Sequence, residues 1–162
     1  MLRMIAIVLA GLLLASPVFG QGTGSIIEGP AIARDGGNIV IGKTTIHLWG
    51  INTIGPKDPL GDLTADVLRS LVDGKEVHCY VVSIYPGRWH AHLGRRDNWP
   101  LALCRVEGRD ISAEMLRRGW ASAYGPRKMS AVQPRYEDDY EELEAEARAG
   151  CRGLWAALPA CR

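Results

Sequence analysis

The chain has 162 residues and sets 19 lysines and arginines against 18 acids, a formal charge of +1. This length suits one domain large enough to bury a packed core. The charge balance excludes the bulk electrostatic attraction of a typical nonspecific nucleic-acid binder, leaving only a local basic patch open.

Residues 1–20 carry one early cation, Arg3, then an apolar run from Ile5 to Ala15 and small residues before Gln21. That is the pattern of a secretory signal peptide. The run is short for a membrane span and no cysteine stands at the expected cut, so a periplasmic or secreted product with no membrane attachment after cleavage is expected. Residues 21–26 form a flexible lead-in. From Ile26 to Ile51 three β-prone runs follow, Ile26–Ala33, Ile39–Ile41 and Thr44–Ile51, separated by Asp35-Gly-Gly-Asn38 and Gly42-Lys43. These spacings predict a three-stranded meander.

Pro56–Pro59 interrupts the strands, and apolar residues at 68, 71 and 72 predict a helix over Asp62–Val72, with Asp62 as its cap and Asp73-Gly74 as its stop. Two further strands are expected around Glu76–Ile84 and Pro100–Glu107, flanking an irregular segment from Tyr85 to Trp99. A short helix over Ile111–Arg118 has Asp110 for a cap and Gly119 for a terminator. Pro126–Pro134 reads as loop, and Arg135–Gly150 as an acidic helix whose Glu141, Glu142, Glu144 and Glu146 form a solvated face. Five strands with a helix between the third and fourth, and three helices in all, predict an α+β chain built on an OB-fold-like β-barrel.

Four cysteines, Cys79, Cys104, Cys151 and Cys161, form an even set in a chain expected to be exported, which points to disulfides. Of the three pairings, Cys79–Cys104 is favoured because the two lie in apolar runs expected to pair as neighbouring strands. Cys151–Cys161 then closes a short C-terminal loop. A zinc site is disfavoured, because no Cys-x-x-Cys or matching His spacing occurs.

Three segments carry a resemblance. His47-Leu-Trp-Gly-Ile-Asn-Thr-Ile-Gly55, Gly108-Arg-Asp-Ile-Ser-Ala-Glu-Met-Leu-Arg-Arg-Gly-Trp-Ala121 and Leu143-Glu-Ala-Glu-Ala-Arg-Ala-Gly-Cys-Arg-Gly-Leu-Trp155 stand in the order in which the staphylococcal nuclease (thermonuclease) family places its active-site strand, short second helix and closing helix. The chain resembles that family over residues 27–156, leaving 157–162 as a disulfide-tethered tail. Leu154 and Trp155 are expected to pack the last helix onto the barrel.

The resemblance implies a calcium-dependent phosphodiester hydrolase, but the positions that carry this chemistry are altered. The family's Asp-Gly-Asp-Thr turn reads Asp35-Gly-Gly-Asn38, so one calcium ligand becomes Gly37; the other becomes Asn52, a neutral amide. Thr53 would still offer its backbone carbonyl. The position of the general-base glutamate is Gly55, and the first transition-state arginine is His47. The second arginine belongs to a Gly-Arg that Asp97-Asn-Trp-Pro-Leu-Ala102 lacks, Arg95 and Arg96 lying out of register. Calcium prefers carboxylate and carbonyl oxygens, and each lost transition-state donor costs about 10²–10³ in rate.

Two readings follow. In the first, the chain keeps the fold without the catalysis, needs no metal or cofactor, and acts as a binding or scaffold module toward nucleic acid, another polyanion or a protein. In the second it remains a phosphodiesterase, using calcium in a site rearranged around Asp35, His47, Asp58, Arg95 and Arg96, with Asp62 as a further nearby acid. Arg88-Trp-His-Ala-His-Leu-Gly-Arg-Arg-Asp-Asn-Trp99 interleaves cations with tryptophans, a composition that suits phosphate contact and stacking. Arg88, Trp89, Arg95 and Arg96 are its candidate polyanion-binding residues; the competing reading is a long hairpin with solvated arginines. His90 and His92 alone are too few for a metal site.

Overall fold

The structure, a computed structural model, describes residues 23–90, 95–124 and 139–161, without the side chains of 85–90 and 95–97. The expected signal peptide, the start of the lead-in and the Pro126–Pro134 loop lie outside the described residues. In chain order the elements are β1 (Ile26–Ala33), β2 (Asn38–Ile41), β3 (Thr44–Leu48), β4 (Ile51–Asn52), α1 (Gly61–Val72), β5 (Glu76–His90), β6 (Arg95–Val106), β7 (Arg109–Asp110), α2 (Ile111–Arg117), β8 (Ser122–Ala123) and α3 (Tyr140–Ala149), followed by two short 3-10 turns.

The expected meander forms: β1 pairs with β2, and β2 with β3, both antiparallel. On its other edge β1 pairs with β5, which pairs with β6. A parallel pairing of β3 with β6, His47 opposite Leu101 and Leu48 opposite Ala102, closes the five long strands into a barrel. Trp49 N–H extends this seam by donating to Ala102 O at 2.9 Å. The expected third strand ends at Leu48 because Trp49-Gly50 turns the chain, and β4 leaves to pair with β8.

The barrel interior and the underside of the helices share one core. Ile39, Ile46 and Leu48 of the meander, Val77 and Val81 of β5, Leu68 and Val72 of α1, and Ile111, Met115 and Leu116 of α2 are fully buried. Burial of each such side chain contributes about 1.5–3 kcal/mol. The period-two alternation of β1 and period-four spacing in α1 thus serve one interior.

Three local expectations are corrected. The segment from Tyr85 to Trp99 is mostly ladder: β5 and β6 remain paired from Ile84 opposite Pro100 out to His90 opposite Arg95, with an irregularity between Pro86 and Trp89. Pro86 and Pro100 lack a backbone donor and Gly87 favours turns, which makes the stretch look irregular locally, but the surrounding pairing carries the arm outward. Asp62 does not cap α1. The helix starts one residue earlier from Leu60, without a side-chain cap, and Asp62 lies in its first turn, where a carboxylate favours the helix dipole. The described part of the last helix begins at Tyr140, with Asp139 accepting from Glu141 and Glu142 N–H. Asp110 caps α2 as expected, accepting from Ala113 N–H at 3.1 Å, and Gly119 follows with φ 74°.

Both expected disulfides are present. Cys79–Cys104 joins facing residues of β5 and β6, and Cys151–Cys161 ties the last 3-10 turn to the exit of α3. The C-terminal segment meets α2 closely: Leu154 N–H donates to Gly119 O at 2.9 Å, and a Cβ on Gly119 would overlap the Arg152 carbonyl. Arg148 stacks on the Trp155 ring at 3.7 Å from its centroid. Among the described residues, no helix is long and apolar enough to cross a membrane.

Candidate functional site

The turn between β1 and β2 is held by its own first residue. Asp35 Oδ1 accepts from Gly37 N–H at 2.9 Å, and the Asn38 amide Nδ2 donates to Oδ1 and Oδ2 at 2.8 and 2.9 Å. An ionised carboxylate only accepts, so the NH2 group of Asn38 must face Asp35 and its oxygen must face away. That oxygen meets His47 Nδ1 at 2.8 Å across the β2–β3 pair. His47 Nδ1 therefore carries the hydrogen and donates, which leaves the lone pair of the neutral ring on Nε2. Burial pushes the imidazole below its ordinary pKa of 6.5, while the nearby Asp35 carboxylate opposes that shift.

The turn is also wedged in place. A Cβ on Gly36 would overlap Thr64 of α1, and a Cβ on Gly37 would lie 2.9 Å from Thr53 Oγ1 and 3.9 Å from His47 Cε1. Positions 37, 47 and 53, brought together only by the family resemblance at the level of sequence, are thus neighbours in space. Leu48 N–H donates to Gly37 O at 2.9 Å, securing the turn to β3.

On the far side of Thr53 the chain turns outward. Asn52 is exposed at the end of β4, and Gly55 is exposed with open space where a side chain would project. The Gly55 carbonyl accepts from Asp58 N–H at 3.0 Å, and Asp58 O from Gly61 N–H at 2.9 Å, so this loop turns directly into α1. Asn52, Thr53 and Asp58 border a cavity of about 470 Å³ whose apolar walls are Ile54, Pro59, Leu60, Leu154 and Trp155.

These residues do not fit a calcium ion. Calcium takes six to eight oxygens, usually with several carboxylates among them. Gly37 offers no side chain, Asn52 offers an amide, and both Asp35 oxygens already accept from Asn38. Among the described residues no group of three or more His, Cys, Asp or Glu converges. Asp58 borders the cavity and is exposed, and Asp62 is exposed on α1.

Of the candidate polyanion-binding residues, Arg88, Trp89, Arg95 and Arg96 have backbones on the β5–β6 arm, with Trp89 opposite Arg96. Their side chains lie outside those described, as does His92 altogether. At the base of the arm Arg34 stacks over Trp99 at 5.4 Å and donates to Thr45 Oγ1 at 3.3 Å. Sequence reasoning passed over Arg34, and it treated Asn38 as a turn residue alone. The signal for Asn38 was available: Asn38 and His47 are equidistant from the Gly42-Lys43 turn, so a tight hairpin puts them opposite each other.

The family described as staphylococcal nuclease homologue matches residues 45–157. The chain is 30% identical over 103 residues to the probable endonuclease LCL3 of Schizophyllum commune (strain H4-8 / FGSC 9210), covering 62% of this chain and 34% of that protein. It is 33% identical over 101 residues to the probable endonuclease LCL3 of Candida tropicalis (strain ATCC MYA-3404 / T1), covering 62% of this chain and 40% of that protein. The matched part thus spans well under half the length of these curated relatives.

Proposed function

This chain belongs to the staphylococcal nuclease family, and on that premise we propose that it is an exported member that binds at the family's site without calcium-dependent phosphodiester cleavage. The observation that carries this reading is the closed chain Asp35–Asn38–His47. The acid nearest the old metal position is taken up by Gly37 N–H and Asn38, and Asn38 in turn accepts from the imidazole that stands in for an arginine. Hydrogen bonds that fix a turn and a strand pair have replaced groups that would face a substrate. Two buried disulfide cysteines and a second, C-terminal bridge support an oxidising compartment.

The names of the two relatives favour a second reading, hydrolysis through a site rearranged around Asp35, His47, Asp58, Arg95 and Arg96. Against it, both oxygens of Asp35 are committed to its turn and burial pushes the His47 pKa down, so neither of these two residues supplies a free metal carboxylate or a fixed cation for the transition state. The test is cleavage of DNA and RNA by the oxidised protein, with calcium and with chelator. No cleavage above buffer is expected; chelator-sensitive cleavage that His47→Ala abolishes would overturn the binding reading.

A further inference from the structure

The cavity beside Thr53 has the size and lining of a small-molecule site, and its charge differs from what a nuclease needs. At about 470 Å³ it falls within the range of ligand pockets, commonly about 300–1,000 Å³. Ile54, Pro59, Leu60, Leu154 and Trp155 form its apolar walls; Asn52, Thr53 and Ser122 supply amide and hydroxyl groups; and Asp58 is the one charged residue among the described residues that line it. Lys57, the neighbour of Asp58, does not line it, and Arg148 is engaged on the Trp155 ring.

Asp58 is exposed at the edge of this apolar cavity, and a carboxylate there disfavours a phosphate and favours a cation, because like charges repel and opposite charges attract even where the group faces solvent. We infer that this cavity binds a small organic cation, an ammonium group carried on an apolar body. The ammonium lies toward Asp58, and the body packs against Leu60, Leu154 and Trp155. The inference deepens the binding reading above by naming the ligand class at the same site: the loop that follows the family's metal position now presents a negative charge to an apolar recess.

The experiment uses the full, oxidised protein and three probes of matched shape: 2-phenylethylammonium, 2-phenylethanol and 3-phenylpropionate. Binding is followed by tryptophan fluorescence and by NMR shifts of the residues around Asn52 and Leu154. The ammonium is expected to bind best and the carboxylate worst. Asp58→Asn is expected to weaken the ammonium about fivefold, the upper end for a solvent-facing ion pair, and to leave the alcohol unchanged. Leu60→Asp, at an exposed position that can be changed without disturbing the core, is expected to weaken the alcohol and so tests the apolar wall. No ammonium binding at millimolar concentration by folded protein, a preference for the carboxylate, or indifference to Asp58→Asn would each overturn the inference. Nucleic-acid cleavage in the preceding assay would overturn the binding reading instead, so the two failures are distinct.

Discussion

His47 is where burial, hydrogen bonding and a proposed loss of catalysis meet. Its pKa is lowered in the folded state by burial, Asp35 opposing, so the unfolded chain binds more protons than the folded one once the pH falls below the ordinary histidine range. Stability is therefore complete above about pH 6.5 and declines as the pH drops through that value toward the lower folded pKa. Denaturation midpoints between pH 7 and pH 5 should fall, and His47→Gln should flatten this dependence. A second residue-scale outcome concerns Gly36, whose missing Cβ makes room for Thr64. Gly36→Ala should cost about 1–3 kcal/mol in urea unfolding, the usual penalty for overpacking. Gly37, Asn52 and Gly55 were legible as changed positions from the family motif. The bridging role of Asn38 needed the β2–β3 register, and the depressed His47 needed burial, which a local motif does not report.

At the scale of elements, α3 and the turn after it are fastened by packing against α2 and by hydrogen bonds around it: Tyr140 Oη donates to Asp110 Oδ2 at 2.6 Å, Glu144 accepts from Ala123 N–H at 2.7 Å, and Leu154 N–H donates to Gly119 O at 2.9 Å. Trp155 lines the cavity and carries Arg148 on its ring, yet its buried Nε1 has no hydrogen-bond partner among the described residues. Losing that N–H should cost almost nothing, and removing the ring should cost much more. Trp155→Phe is expected to unfold within about 1 kcal/mol of the wild type, because an unpaired donor gives no stabilising bond. Trp155→Ala should lose up to about 3–5 kcal/mol, less where the ring is solvent-exposed. Thermal and urea denaturation of the two variants separates packing from hydrogen bonding. The strands of the meander and the caps of α2 were readable because alternation and cap residues act locally. The outer β5–β6 arm was legible only as one of two readings, an irregular segment from Tyr85 to Trp99 or a long hairpin, because its prolines and glycine read locally as breaks while the pairing depends on the partner strand; the paired strands form.

For the whole molecule, the order of five strands around a helix was enough to place the barrel, because each strand's apolar face needs the same interior. Both disulfide partners were also readable, one from neighbouring strands and one from a short terminal span. The cavity was hidden, since its walls come from the loop before α1, from β8 and from the C-terminal turn. Reduction should weaken the fold measurably: the Cys79–Cys104 bridge spans a sequence separation of 25 and contributes about 3 kcal/mol by restricting the unfolded chain. A lower urea midpoint in dithiothreitol, reversed on reoxidation, is the expected result.

The parallel seam that closes the barrel has a kinetic consequence. His47–Leu101 and Leu48–Ala102 join segments far apart in the chain, whereas the meander and the long arm form from near neighbours. Closing so large a loop costs chain entropy before many contacts reward it, so the seam should form after the folding barrier has been crossed. Leu48→Ala, which removes a fully buried side chain at the seam, should then speed unfolding in stopped-flow measurements while leaving the refolding limb nearly unchanged. The seam would then serve as a latch on the lifetime of the folded state.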